Sequence, residues 1–169
     1  MNERIDEMDE GARQLIEAVG LFFEDAGVPR IGGRLLGLLL VAERPLSLDE
    51  VARTLGVSRA SVSTNSRLLL YAGMIERASF PGDRRDYYQF SARGWEGSIE
   101  AEIKGTRTLL RIMSEALATL DPANAAGRVR LSESVAFYSF IAEELTAMLE
   151  RWRTRAAPTR NGAAPAAND

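Results

Sequence analysis

The chain has 169 residues with no cysteine and no histidine, which excludes disulfides, thiolate or imidazole metal sites and histidine-based acid–base catalysis. Its net charge of −3 is unevenly placed: net −6 over residues 1–52, +4 over residues 53–93 and −1 over residues 94–169. A basic middle in an acidic chain points to an anionic partner for that segment, with chance clustering of surface charge as the alternative.

The longest apolar run, Leu35 to Ala42, is interrupted by Gly37 and falls far short of the roughly 18 residues of a membrane span. The acidic start MNERIDEMDE is not the positively charged start of a signal peptide, so a cytoplasmic protein is expected. No nucleophile–base pair, phosphate-binding glycine loop or paired acidic metal motif stands out, so neither an enzyme nor a cofactor is expected.

The first segment places Ile5, Met8, Ala12, Leu15, Val19, Phe22 and Ala26 at alternating steps of three and four. This a/d seam predicts a long helix that packs along another helix. Gly27 and Pro29 end it. Arg30 to Glu43 reads as a second helix, apolar nearly all round and therefore buried. In SLDEVARTLG, Ser47 and Glu50 form a capping box for a short third helix, which Gly56 stops. Ser58 is the N-cap of a fourth helix, about Arg59 to Ala72, with Val62 and Leu69 inward. Ser66 also falls on that inward stripe: either it back-bonds to the Val62 carbonyl, or Asn65 and Ser66 mark where the helix faces another element.

Two short helices, each opened by serine and joined by a tight turn, make a helix-turn-helix. Met74 to Phe80 and Arg85 to Phe90 read as a hairpin whose turn is Pro81-Gly82-Asp83-Arg84. One of Tyr87 and Tyr88 is expected to pack under the hairpin while the other faces out. Ser91 caps a long helix to about Leu120, with Trp95, Ile99, Ile103, Leu109, Leu110, Met113 and Leu117 on its apolar side. A last helix begins between Ala123 and Val129 and reaches about Arg155, with Val135, Tyr138, Ile141, Leu145, Met148 and Trp152 inward. The Ala/Pro-rich tail, residues 156–169, has no periodic pattern and reads as disordered.

Three stretches, VPRIGGRLLGLLL (28–40), SLDEVARTLGVSRASVSTNSRLL (47–69) and FPGDRRDYYQF (80–90), together resemble the MarR/GbsR-type winged helix-turn-helix transcriptional regulators. Pro29, Arg30, Gly33 and Arg34 are similar to the entry of that family's second helix, Ser58 to Ser63 to its recognition helix, and Pro81 to Tyr88 to its wing. The resemblance implies a mainly α fold: a winged DNA-binding domain at 28–91 with a two-strand wing. Residues 1–27 and 92–155 would supply the long helices of a dimer body. It further implies a homodimer on a pseudo-palindromic double-stranded operator, acting as a transcriptional regulator, most often a repressor, with a small-molecule effector in many relatives. The alternative is a winged-helix protein-interaction module that does not bind DNA.

The candidate DNA-binding residues are Ser58, Arg59, Ser61, Ser63, Thr64, Asn65 and Arg67 on the fourth helix, and Arg84 and Arg85 at the hairpin tip. Short polar groups and arginines suit base edges and phosphates in the major groove, and the stretch from Arg59 to Ala72 holds no acidic residue. Arg84 and Arg85 stand where family wings insert arginine into the minor groove. Asp83 or Asp86 is expected to hold one of them rather than meet DNA. Phe137, Tyr138 and Phe140, with Trp95 and Trp152, either line an effector pocket or belong to core and dimer interface.

Overall fold

A computed structural model describes residue 5 and residues 8–160. The chain forms two compact units, Met1–Ser98 and Ile99–Asp169. The first holds helices α1 (Glu10–Asp25), α2 (Arg30–Val41), α3 (Leu48–Leu55) and α4 (Arg59–Tyr71), with strands β1 (Leu46–Ser47), β2 (Ile75–Ala78) and β3 (Tyr87–Phe90). Helix α5 (Gly94–Thr119) starts in the first unit and continues into the second, which also contains α6 (Ala125–Arg160).

Helix α2 is the spine of the first unit. Leu35, Leu36, Leu38 and Leu39 are all buried, and they meet Ile16 of α1, Val51 and Leu55 of α3, and Val62 and Leu69 of α4 in one core. The pairing of α1 with α2 depends on the absence of side chains at the crossing. A Cβ on Gly33 would lie 2.4 Å from the Val19 carbonyl oxygen and 2.9 Å from Gly20 Cα, so only glycine allows this approach. Glu17 ties the same two helices from outside, accepting from Arg30 at 2.9 Å and Arg34 at 2.8 Å.

Helix α1 packs on α2 through Ala12, Ile16 and Gly20, a stripe rotated from the expected seam. Of that seam, Ala12 is buried and Ile5, Met8 and Val19 pack at the edge of the core, while Leu15 and Phe22 are exposed, Phe22 at 69%. The helix therefore has two apolar sides. One is satisfied within the chain and the other is open.

The helix-turn-helix forms as its caps dictate. Ser47 Oγ accepts from the Glu50 N–H, and Glu50 returns a 2.7 Å bond from the Ser47 N–H, the complete capping box. Gly56, at φ 65°, closes α3 in the left-handed conformation. Ser58 Oγ accepts from the Ser61 N–H at 3.1 Å and opens α4.

The hairpin is part of a three-stranded antiparallel sheet in the order β1-β3-β2. Strand β1 pairs Leu46 with Tyr88 and Ser47 with Tyr87, and β2 pairs Ile75 with Phe90 and Ala78 with Tyr87. A two-residue strand carries too little pattern to be legible in sequence. Its presence places β3 in the centre, and this corrects the expectation for the tyrosines: Tyr87 and Tyr88 are both buried, at 8% and 3% exposure. They project to opposite faces of the strand, Tyr88 into the core and Tyr87 under the folded tip of the hairpin.

In the second unit, α5 and α6 bury Ile103, Thr106, Ala142 and Leu149. Met148 and Trp152, expected inward, are exposed, as are Ile112, Val129, Phe137 and Phe140. Two helices can bury one stripe each, so the remaining apolar residues stay open. Helix α6 continues through residues 156–160, into the stretch expected to be disordered; residues 161–169 of that tail lie outside the described residues.

Candidate nucleic-acid interface

The second helix of the helix-turn-helix, α4, presents Arg59, Thr64 and Arg67 to solvent, with Ser58 exposed at its N-cap and Ser61 and Ser63 half-buried beside them. The N-cap hydroxyl of Ser58 is occupied, accepting from the Ser61 N–H and donating to Ser61 Oγ at 3.0 Å. What this helix start offers an anion is the positive end of the helix dipole and neighbouring N–H groups rather than a free serine. Arg59 Nε lies 3.1 Å from Asp49 Oδ1 at the start of α3, so a carboxylate holds it in place. Arg67 makes no ion pair among the described residues.

Asn65 does not belong to this face, which corrects its placement among the outward residues. It is 5% exposed, and its Nδ2 donates to the Ser61 carbonyl at 2.8 Å. Its Oδ1 points at Gly32 of α2, where a Cβ would stand 3.1 Å away, and it has no hydrogen-bond partner. Ser66, fully buried, is likewise without a partner for Oγ, so it does not back-bond to Val62. Asn65 and Ser66 lie four and three residues from Ser61 and Leu69, on the inward side of the helix. There Asn65 meets the glycine surface of α2. Sequence reasoning missed the rest of the outer face: Ala60, Leu68 and Tyr71 are exposed, Tyr71 at 77%. The spacing of 60, 64, 67/68 and 71 was the available signal.

The hairpin tip is organised by Asp83. Its N–H donates to the Phe80 carbonyl at 3.1 Å across Pro81-Gly82. Its carboxylate then accepts from the Arg85 N–H at 2.9 Å, Arg85 Nε at 3.0 Å, Arg85 Nη2 at 2.5 Å and the Tyr87 hydroxyl at 2.7 Å. These bonds, from the Arg85 guanidinium first, hold the Asp83 carboxyl well below the usual carboxylate range and raise Arg85 in turn. The Tyr87 phenol, donating to Asp83, is pushed up. Arg85 also lies 5.3 Å over the Tyr87 ring, and the Phe80 ring meets that ring edge-on at 4.8 Å. Arg84 is exposed and makes no ion pair among the described residues. Asp86 is exposed and makes no ion pair with either arginine.

Behind the wing, Arg44 bonds Glu50 at 2.7 Å. Burial disfavours ionised Glu50, but the bonds from Arg44 and Ser47 outweigh it and bring its pKa to about 2. The capping box thus stays charged and closed at neutral pH.

The aromatic residues considered for an effector pocket are divided between the two units. The Trp95 ring meets the Phe90 ring at a tilt, with centroids 5.3 Å apart, within the first unit. Phe137 meets Tyr138 edge-on at 5.3 Å in the second unit, with Phe137, Phe140 and Trp152 exposed there. Among the described residues there is no group of three or more acidic side chains that could hold a metal ion, and no helix is long and apolar enough to cross a membrane.

A helix-turn-helix followed at once by an antiparallel hairpin with an arginine-bearing tip defines a winged-helix domain. A model described as the MarR family matches residues 26–86, and one described as an MmpR5-like MarR family transcriptional regulator matches residues 93–155. Both matches are to MarR-family winged-helix transcriptional regulators, and together they span most of the chain.

Among individual proteins, it is 29% identical over 158 residues to the HTH-type transcriptional regulator MmpR5 of Mycobacterium tuberculosis (strain ATCC 25618 / H37Rv), covering 92% of this chain and 96% of that protein. It is 27% identical over 84 residues to the HTH-type transcriptional repressor OpcR of Bacillus subtilis (strain 168), spanning 50% of this chain and 45% of that one. A solved structure described as a transcriptional regulator superposes with a TM-score of 0.79 at 29% identity, covering 85% of this chain and 99% of that chain.

Proposed function

We propose that the protein is a homodimeric repressor that reads a pseudo-palindromic operator through α4 in the major groove and the β2–β3 wing in the minor groove. The observation that carries this reading is the charge arrangement of α4 and the wing. The outer face of α4 holds two arginines and no acid, and Asp49 and Asp83 beside the contact side chains are each engaged by an arginine, while Asp86 stays exposed next to Arg85. Asp83 braces Arg85 by four hydrogen bonds without covering it, since the Arg85 side chain stays 61% exposed.

An arginine oriented before binding loses less freedom on entering a narrow groove. Arg85 is therefore assigned to the minor groove, with Asp83 and Tyr87 as its support. Arg84 and Arg67 are assigned to phosphates, where a mobile charge suffices. Ser61, Ser63 and Thr64 provide the short polar groups for base edges, and Arg59, steadied by Asp49, serves either guanine or phosphate. Asn65 sets the seat of α4 on α2 rather than touching DNA.

The dimer is assigned to the apolar sides left open in the chain: Leu15 and Phe22 on α1, and Phe137, Phe140, Met148 and Trp152 on α6. The domain reading follows from this: 1–27 and 92–155 serve the dimer body, and 28–91 forms the winged domain.

The test is binding to duplex DNA selected from a random pool by the full-length protein. Recovery of a two-fold symmetric site, bound by one dimer, is the expected outcome. Failure to enrich any sequence would favour a protein-interaction role.

A further inference from the structure

The outer face of α4 ends on a tyrosine that nothing within the chain uses. Ala60, Thr64, Arg67 and Tyr71 follow one another at steps of four, three and four, so they stand in one line along the helix. That line lies opposite the buried stripe of Val62, Asn65, Ser66 and Leu69. Tyr71 is 77% exposed, the most open of the large apolar side chains among the described residues. Its hydroxyl makes no hydrogen bond and its ring meets no other ring among the described residues. Tyr87 shows the structural use of the same side chain: its hydroxyl bonds Asp83 and its ring packs on Phe80.

Leu68 is the one other large apolar residue exposed on α4. Two side chains are too small a patch for a stable protein partner, which takes on the order of 1,000 Å². Around them the helix is basic and, from Arg59 to Ala72, free of acid, so an anionic partner meets no repulsion there. A recognition helix reads base edges with its N-terminal residues, and Tyr71 stands about 10 Å farther along than Thr64. At that distance an outward side chain meets the wall of the groove, the sugar–phosphate backbone.

We infer that Tyr71 is a further DNA contact, made to the backbone: its hydroxyl donates to a phosphate oxygen and its ring lies against the neighbouring deoxyribose. This rests on the DNA-binding reading above and adds to it a neutral contact that fixes the register of α4 without reading sequence.

The experiment measures fluorescence anisotropy of the full-length parent and its variants, on the selected operator and on an unrelated duplex, at several salt concentrations. Tyr71→Phe, which removes only the hydroxyl, should weaken binding to both duplexes by about threefold or more. It should leave the slope of log K against log salt unchanged, because a neutral donor releases no counterion. Tyr71→Ala should lose more, since the ring goes too, and Tyr71→Lys should steepen the slope. The replaced side chain is exposed, and unchanged circular dichroism confirms the fold in each case. Phe and Ala variants that bind as tightly as a parent that itself binds DNA would overturn this contact alone. A parent that binds no duplex would overturn the function proposed above with it. A loss confined to the operator would make Tyr71 a reader of bases, a Tyr71→Lys slope equal to the parent's would place it away from phosphates, and a Tyr71→Ala protein that turns monomeric without DNA would make it a protein contact. Each of these contradicts the inference.

Discussion

At the scale of single residues, the hairpin tip separates two neighbouring arginines by their surroundings. Arg85 is fixed by Asp83 and rests on Tyr87, whereas Arg84 is exposed with no ion pair. Arg85→Ala should weaken binding to selected DNA by about 1–3 kcal/mol and relax the preference for A·T in the flanking minor groove. Arg84→Ala should weaken binding of all sequences alike and reduce the slope of log K against log salt by about 0.9. Fluorescence anisotropy at several salt concentrations measures both. If Arg84→Ala alone alters sequence preference, the two roles are exchanged.

The sequence carried the pair of arginines and the aspartates but not their partition, because a turn string does not say which carboxylate reaches which guanidinium. Ser66 makes a second test at this scale. Its buried hydroxyl has no partner, so Ser66→Ala should leave stability unchanged or raise it by about 1 kcal/mol in urea unfolding. A loss of 2 kcal/mol would mean that the hydroxyl is satisfied.

At the scale of elements, caps and close approaches decide the winged domain. The periodic apolar positions and serine caps made α2, α3 and α4 legible within a few residues of their observed ends. Asn65 suited both a groove-facing position and, with Ser66, a contact with another element, and the neighbouring Gly32 of α2 shows the second. Gly33→Ala would drive a methyl into the α1 backbone, so a loss of about 1–3 kcal/mol or more is expected in thermal or urea unfolding. Wild-type stability in that variant would mean the helices cross farther apart.

The capping box of α3 adds a pH dependence. Glu50 has a folded pKa of about 2 against an ordinary 4.5, so its contribution is complete above the ordinary value. That contribution is lost as pH falls from 4.5 toward 2. Glu50→Gln should flatten the acid limb of stability between those values. An unchanged limb would show that Glu50 titrates normally.

At the scale of the whole molecule, the chain leaves apolar sides of α1 and α6 uncovered, with Phe22 at 69% and Phe140 at 58% exposure. The α1 seam was visible as a spacing, but which of its two apolar sides turned inward depended on the glycines of α2. The α6 stripes were visible too, although their burial depends on α5 and α6 being the two helices among the described residues of that unit. Charged replacement of Phe22 and Phe140 should shift the protein toward monomer in sedimentation equilibrium, with the winged domain still folded by circular dichroism. A dimer that persists would place the interface elsewhere.

The central claim is that the basic, acid-free face of α4 and the braced wing bind duplex DNA. Its most direct test is anisotropy of the full-length protein on a selected operator, titrated from low to physiological salt, beside the double variant Arg84→Ala/Arg85→Ala. A steep fall of affinity with salt is expected for the parent, together with a loss of at least tenfold in a variant that remains folded and dimeric. Salt-independent binding, or a double variant that binds as tightly as the parent, would contradict it.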